Sequence, residues 1–383
     1  METGETPIIQ IMALIQYITR IQFDCGAVKL LPLELDLLGM KKPLLVTDAG
    51  IRAAGILDKI VGSMGNYDFE IFDGTPENPD EEALRQCLDI YKKKQLDGVI
   101  ALGGGSPIDL AKAVALLVSH GGKFSDYGVQ TGGSEKIGKV LPHIAIPTAA
   151  GTGAEIGRAC VMTTDDGRKT IAVNLNMVAS AVICDPELTL GLPPKMTAAT
   201  GMDALTHGIE VYVSNNYNPP AQAIALDCVR RASRNLVKAY QNGSDIEARK
   251  EMMMAALEGG LCLQKVLGAL HAMSAPLGEF GIHHGTVNGI LLPHVLRYNE
   301  SHCGELYLDL KKAVGIDPDS RLDGWAEDLL KQLELPTTLR EMGIESKHIP
   351  DIAEKSAKDH LSSSNPRPMT PEDYKILLHQ AMG

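Results

Sequence analysis

Short apolar runs alternate with segments of helical period through the first half of this chain. That alternation limits its architecture more tightly than any other feature. Pro43 to Thr47, Asp68 to Phe72, Asp97 to Leu102 and His143 to Ile146 read as buried strands, and Ile51 to Ser63, Asp80 to Lys94 and Pro107 to Ser119 read as the helices between them. Strands recurring between helices of this length imply βαβ units and a parallel sheet. Ala159 to Thr164, Lys169 to Val173 and Ala181 to Cys184 add further strands, with Asp165-Asp166-Gly167 as a hairpin turn between the first two. After Leu192-Pro193-Pro194 the period changes. Thr197 to Val213, Pro220 to Gln241 and Ile246 to Val266 are helical, and shorter helical pieces follow to Met382. The expected division is an α/β domain over residues 1–190 and an all-α domain over 191–383. Nine of the eleven histidines fall in the second part, and the cleft between two such halves is the expected place for a site.

A parallel sheet binds ligands beyond the carboxyl ends of its strands. There the run Asp97–Leu102 passes straight into Gly103-Gly104-Gly105-Ser106 and then a helix. Glycines let a backbone approach a ligand closely, and free N–H groups at a helix start favour a phosphate. A tight strand-to-helix turn needs fewer glycines, so the triplet favours a pyrophosphate cradle. It matches neither the GxGxxG nor the GxxxxGK[ST] fingerprint. Asp48, ending the first strand, is placed either to cap the next helix or to accept both hydroxyls of an adenosine ribose. The second role would favour NAD over NADP by repelling a 2′-phosphate. A second loop of small residues, Pro147 to Gly153, follows the His143–Ile146 strand at the same sheet edge.

In the helical half, Asp203 and His207 stand at i and i+4, on one face. His271 and His284 follow in segments marked by small residues, Pro and Gly. One carboxylate and three imidazoles would make a four-ligand divalent metal site. Oxygen and nitrogen donors without thiolate suit Fe²⁺ or Zn²⁺. His283 and His294 are competing neighbours, and each of these residues taken alone is more often a satisfied buried polar group than a ligand.

Composition excludes several classes. Lys and Arg total 36 against 48 Asp and Glu, a formal charge of −12. Such a chain lacks the positive field that nucleic acid or an anionic membrane requires, and the longest basic run, Lys92 to Lys94, belongs to a helical face. The most apolar N-terminal stretch, Ile8 to Ile18, is broken by Gln10 and Gln16 and is short of a spanning helix. No basic residue precedes Arg20, which makes a poor signal peptide. Seven cysteines with no CxxC read as reduced thiols, and the expected location is the cytoplasm.

Over nearly the whole chain the sequence resembles the iron-containing (group III) alcohol dehydrogenases. Gly103–Lys112 resembles the family's GGGSxxDxAK, and Ile146–Glu155 its IPTTAGTGSE. Ala199–Glu210 resembles ATGMDALTHAIE, and His271–Gly278 with His284–Asn288 resembles HxMAHPLG…PHGxxNAxLLP. The resemblance implies the dehydroquinate synthase-like architecture of that family: an α/β domain with a parallel sheet and a Rossmann-like nucleotide site, then an all-α domain. It implies Asp203, His207, His271 and His284 as metal ligands. It implies Asp48, Asn78, Gly104, Gly105, Ser106, Thr148, Thr152 and Lys169 as nucleotide contacts. The implied activity is a metal-dependent NAD(P)-linked interconversion of a small primary alcohol and its aldehyde. NAD is favoured over NADP and Fe²⁺ over Zn²⁺, and the metal is a Lewis acid on the substrate oxygen. A homodimer or higher homo-oligomer is implied too, with Arg20 to Gly26 as an edge strand available to a neighbouring subunit.

The sequence also departs from the family. The second histidine of HxMAHPLG is Ala275, the serine of GTGSE is Ala154, and the second threonine of PTTAG is Ala149. With Ala275 in place, the substrate proton leaves through water, with His283 as a possible relay beside His271 and His284. Two alternatives stay open. Arg158 either forms a structural ion pair or holds an anionic substrate, which would make a semialdehyde or hydroxy-acid dehydrogenase. A non-catalytic NAD-binding protein with a decayed site is the other.

Overall fold

The computed structural model describes residues 15–17 and 19–383, so most of the Ile8–Ile18 run lies outside the described residues. The strands are β1 (Arg20–Phe23), β2 (Pro43–Val46), β3 (Glu70–Phe72), β4 (Gly98–Gly103), β5 (His143–Pro147), β6 (Ala159–Thr163), β7 (Lys169–Val173) and β8 (Ala181–Cys184). Among them run α1 (Leu31–Leu38), α2 (Ala49–Ala53), α3 (Ile56–Ser63), α4 (Glu81–Lys94) and α5 (Gly105–His120). From residue 194 onward the named elements are helical: α6 (Pro194–Val213), α7 (Pro219–Gln241), α8 (Ile246–Cys262), α9 (Ala269–Leu277), α10 (His284–Val314), α11 (Leu322–Gln332), α12 (Ile349–Lys358) and α13 (Pro371–Ala381).

Six strands form one parallel sheet in the order β1-β8-β5-β4-β2-β3. β2, β4, β5 and β8 are buried on both faces, as their unbroken apolar runs require. Alternate side chains go to opposite layers. Leu44, Val46, Val99 and Ala101 pack under α4 and α5, and Leu45, Ile100 and Leu102 pack with Leu31, Leu57 and Ile60 of α1 and α3. The chain moves outward from β2 to β3, returns to β4, and then moves the other way through β5 and β8. The topological switch therefore lies between β2 and β4, so Asp48 and the glycine triplet flank the crevice where such sheets take their ligands. β6 and β7 form a separate antiparallel hairpin, turning at Asp165-Asp166-Gly167 with Gly167 left-handed at φ 78.

Several expected helices differ in extent, α6 starting at Pro194 and not Thr197. Ile51–Ser63 is two helices, because Gly55 adopts φ 72 and starts α3 afresh. The helix after β4 begins earlier than expected, within the triplet at Gly105. Ile246–Val266 ends at Cys262, where a 3-10 turn over Leu263–Lys265 leads to Val266 at φ 70. Tertiary bonds override helical period there. The Lys265 carbonyl accepts from Ser214 Oγ at 2.9 Å and Asn216 Nδ2 at 3.1 Å, and Lys265 Nζ donates to the Tyr212 carbonyl at 3.0 Å.

α6 is the axle of the helical half, packed against α7, α8 and α10 and buried along most of its length. A helix apolar on all sides is buried on all sides, so polar residues on it need partners. Asp203, His207 and Glu210 are three such residues.

Candidate metal centre and nucleotide cleft

Asp203, His207 and Glu210 form one stripe along α6. α9 brings His271 against it and the first turn of α10 brings His284. Asp203 Oδ1 is the focus. It lies 3.5 Å from His207 Nε2, 3.7 Å from His271 Nε2 and 3.5 Å from His284 Nε2. Ligand atoms of Asp203, His207 and His271 all lie within 4.8 Å of one another. Ring centroids are 4.8 Å apart for His207 and His271 and 5.2 Å apart for His271 and His284.

The electrostatics follow from burial and crowding. Burial pushes the His207 imidazole down to about 3, aided by His271 and His284 and opposed by Asp203. His284, its side chain 44% exposed, is likewise pushed down to about 4 by desolvation against the cluster and by His271, His283 and Lys169, opposed by Asp203. Both rings are thus neutral near pH 7 and present nitrogen lone pairs. Burial would raise the Asp203 carboxyl, but His207, His284 and His271 outweigh it and hold it well below the carboxylate range. His271 is the exception. Burial opposes its charge, yet Glu210 and Asp203 push it up to about 9, so a cation binding there displaces a proton.

Other groups hold these four side chains. The Glu210 carboxylate accepts from His271 Nδ1 and, at 2.8 Å, from the Leu270 N–H. Ser274 Oγ is 2.9 Å from His284 Nδ1. Asn288, one turn past His284, donates to Asp203 Oδ1 at 2.8 Å and lies 3.1 Å from His271 Nε2. Its Oδ1 is buried without a partner among the described residues. Converging lone pairs, an orphaned acceptor and a thiolate-free donor set fit a divalent cation of the Fe²⁺ or Zn²⁺ kind.

Across the cleft, Asn78, Gly105, Ser106, Thr152 and Lys169 line one cavity with Glu77, Asp109, Ala154 and Thr163. Gly104 caps α5 immediately before it, and Thr148 is buried beside it, its N–H donating to the Gly103 carbonyl at 3.0 Å. Asp48 divides its carboxylate. Oδ1 accepts from Ile51 N–H at 2.9 Å and caps α2, while Oδ2 lies 3.3 Å from where a Cβ on Gly103 would stand. The capping role coexists with an oxygen that faces the cradle and has no partner among the described residues. Lys169 Nζ lies 3.8 Å from the corresponding point at Gly278, reaching the helical half.

His283 caps α10, half-buried, with Nδ1 lacking a partner among the described residues. Burial lowers its pKa, opposed by the charges of Asp203 and Glu77. Ala275, one turn past His271, is exposed. His294 is half-buried, and the charges around it are Arg297, Glu327 and Asp323 rather than the cluster. Arg158 is half-buried at the start of β6. The ion pair weighed from sequence is absent among the described residues, and burial alone lowers its pKa.

Sequence reasoning assigned no role to Glu210, Ser274 or Asn288. Two had a readable signal: Glu210 is seven residues from Asp203 and Asn288 four from His284 on their helices, spacings that return to one face.

Comparison with known proteins matches most of the chain. The profile described as iron-containing alcohol dehydrogenase matches residues 19–186, and that of the C-terminal part of the Fe-containing alcohol dehydrogenase family matches residues 197–382. The 4-hydroxybutyrate dehydrogenase of Cupriavidus necator is 40% identical over 382 residues, 97% of this chain and 100% of that protein. The 1,3-propanediol dehydrogenase of Klebsiella pneumoniae is 35% identical over 375 residues, 94% and 96% of the two chains. Among solved structures, a 1,3-propanediol oxidoreductase superposes with a TM-score of 0.91 at 33% identity, covering 97% of this chain and 100% of that one. A sulfoacetaldehyde reductase from Bifidobacterium kashiwanohense in complex with NAD⁺ gives 0.89 at 26% identity, covering 97% and 99%.

Proposed function

Given that the chain belongs to the iron-containing alcohol dehydrogenase family and is an oxidoreductase of that type, we propose that it interconverts a small primary alcohol and its aldehyde with NAD and a divalent iron held by Asp203, His207, His271 and His284. The observation that carries this reading is the position of Asp203 Oδ1, with three imidazole nitrogens within 3.7 Å, on a carboxylate that Thr152 of the glycine-loop cavity also reaches. When bound, the metal supplies Lewis-acid polarisation of the substrate oxygen and the dinucleotide supplies or accepts hydride. The chain does the rest. Residues 1–190 seat the nucleotide through Asp48, Asn78, Gly104, Gly105, Ser106, Thr148, Thr152 and Lys169, and residues 191–383 hold the metal. Asp48 Oδ2 accepts the adenosine ribose hydroxyls and repels a 2′-phosphate, which selects NAD over NADP.

His283 is the proton-handling residue of this proposal. Ala275 leaves the face beside His271 open to water. His283, whose Nδ1 is buried without a partner among the described residues and whose ring feels the charges of Asp203 and Glu77, would relay the proton towards that water. A homodimer joined at the edge strand β1 and a cytoplasmic location complete the reading. Support comes from β1 ending the sheet order and from seven free cysteines. Among the described residues no single helix is long and apolar enough to cross a membrane.

A second reading has a specific observation behind it. Arg158 has no carboxylate partner among the described residues, and a 40% identical relative is a 4-hydroxybutyrate dehydrogenase. An ω-hydroxy acid and its semialdehyde would then be the preferred pair, with Arg158 meeting the carboxylate.

The test is NADH oxidation by anaerobically iron-loaded protein over matched neutral and anionic aldehydes, repeated with NADPH. Turnover with NADH confirms the main reading, and an anionic preference lost in Arg158→Ala selects the second. No turnover with any aldehyde, with iron and NADH both bound, points to the non-catalytic alternative.

A further inference from the structure

Asp203 uses its two oxygens for two different sites. Oδ1 faces the three imidazoles, while Oδ2 accepts a hydrogen bond from Thr152 Oγ1 at 3.0 Å. Thr152 belongs to the β5–β6 connection and lines the cavity with Gly105 and Ser106. One hydroxyl therefore touches a metal ligand and the nucleotide pocket at once.

The rest of the connection keeps it there. Lys112 of α5 is fully buried, and its ammonium donates to the carbonyls of Ala154 at 2.7 Å, Gly157 at 2.6 Å and Ala159 at 2.9 Å. The helix whose first turn forms the phosphate end of the cavity thus also grips the chain just beyond Thr152. On the other side Gly153, at φ 66, is pressed onto α8, where a Cβ would come within 2.6 Å of Gly260 Cα. The backbone just beyond Thr152 is thus clamped to both halves, while the Thr152 side chain itself is exposed and is held to Asp203 by its hydroxyl.

From this we infer that Thr152 is a positioning residue that couples the two sites, so that dinucleotide binding tightens the metal and metal binding tightens the dinucleotide. A bond to the outer oxygen of a ligating carboxylate fixes its orientation, and losing such an outer contact weakens metal binding by about 10–100-fold. A dinucleotide contact that orders Thr152 favours the same Asp203 orientation the metal needs. Coupling between binding sites is reciprocal by thermodynamic necessity. The inference rests on the proposed metal and dinucleotide sites.

The experiment is equilibrium competition for Fe²⁺ against a chromogenic bipyridine chelator, without oxygen, with and without saturating NADH. NADH affinity is measured by fluorescence with and without Fe²⁺. In the unaltered protein each ligand should tighten the other by the same factor, about five-fold or more. Thr152→Val should bind Fe²⁺ about ten-fold more weakly and lose the response to NADH, and Thr152→Ser should restore both. The inference is overturned if the two ligands bind without mutual effect, if Thr152→Val keeps the response, or if Thr152→Ser fails as Thr152→Val does. Should Thr152→Val not fold, judged by circular dichroism, Thr152→Ala takes its place with the same expectations. An unaltered protein that takes up no Fe²⁺, or no NADH, contradicts the proposed function instead.

Discussion

The Glu210 carboxylate is bound to the His271 ring at Nδ1, and it also accepts from the backbone N–H groups at the start of α9. One side chain thereby fixes which ring nitrogen faces Asp203 and where its helix begins. Glu210→Gln keeps the volume and loses the charge, and Fe²⁺ affinity should fall about 10–100-fold, as for other residues that orient ligating histidines. Chelator competition measures it, and affinity within two-fold of the unaltered protein would remove Glu210 from the metal centre.

The contact between α10 and α6 leaves no space beside the ligand set. A Cβ on Gly285 would stand 1.9 Å from the Ala199 carbonyl oxygen and 3.2 Å from Asp203 Cβ. Gly285→Ala must push α10, and His284 with it, off α6. The expected cost is about 1–3 kcal/mol in denaturant unfolding, together with weakened metal binding. Unchanged stability and affinity would mean the helices do not meet there.

Asp48 offers a test of cofactor choice that leaves the fold alone. Serine caps helices as well as aspartate does, so Asp48→Ser keeps the bond to Ile51 N–H that holds α2. What it loses is the negative charge beside Gly103. The ratio of kcat/KM for NADPH to that for NADH should rise by about ten-fold or more, the equivalent of about 1.4 kcal/mol. A constant ratio would leave Asp48 as a helix cap only.

His143, the first residue of β5, is buried, and its Nε2 has no partner among the described residues. Burial, aided by the Lys112 charge, pushes it down to about 4. A histidine whose folded pKa is depressed binds its proton more readily when unfolded, so its contribution is complete above the unfolded pKa of about 6.5 and is lost as pH falls towards 4. Between pH 7 and pH 5 this single group should cost about 2 kcal/mol of stability. In His143→Leu that part of the acid loss should disappear from denaturant unfolding at the two pH values. An equal loss in both proteins would show that His143 is not the responsive group.

How legible all this was depends on which forces placed each residue. Helical period alone put Asp203 and His207 on one face, and short apolar runs alone located the strands, because both patterns follow from local backbone geometry. Strand order across the sheet is decided by crossovers and not by any single segment, so the switch point between β2 and β4 appeared only with the structure. Tertiary bonds placed the break at Val266. The same holds for the groups that orient the ligands. Ser274 reads as one more small residue of α9 until the His284 ring lies beside it. The Thr152–Asp203 bond joins residues 51 apart in sequence, beyond the reach of any spacing rule.

Metal stoichiometry tested against activity addresses the central claim most directly. Metal-free protein would be titrated with Fe²⁺ without oxygen, following bound metal and NADH-dependent aldehyde reduction together, for the unaltered chain and for His271→Ala. One Fe²⁺ per chain is predicted, with activity rising in step until the site is full, and His271→Ala should show neither. Full activity without metal, or a His271→Ala protein that binds and works as before, would contradict the account.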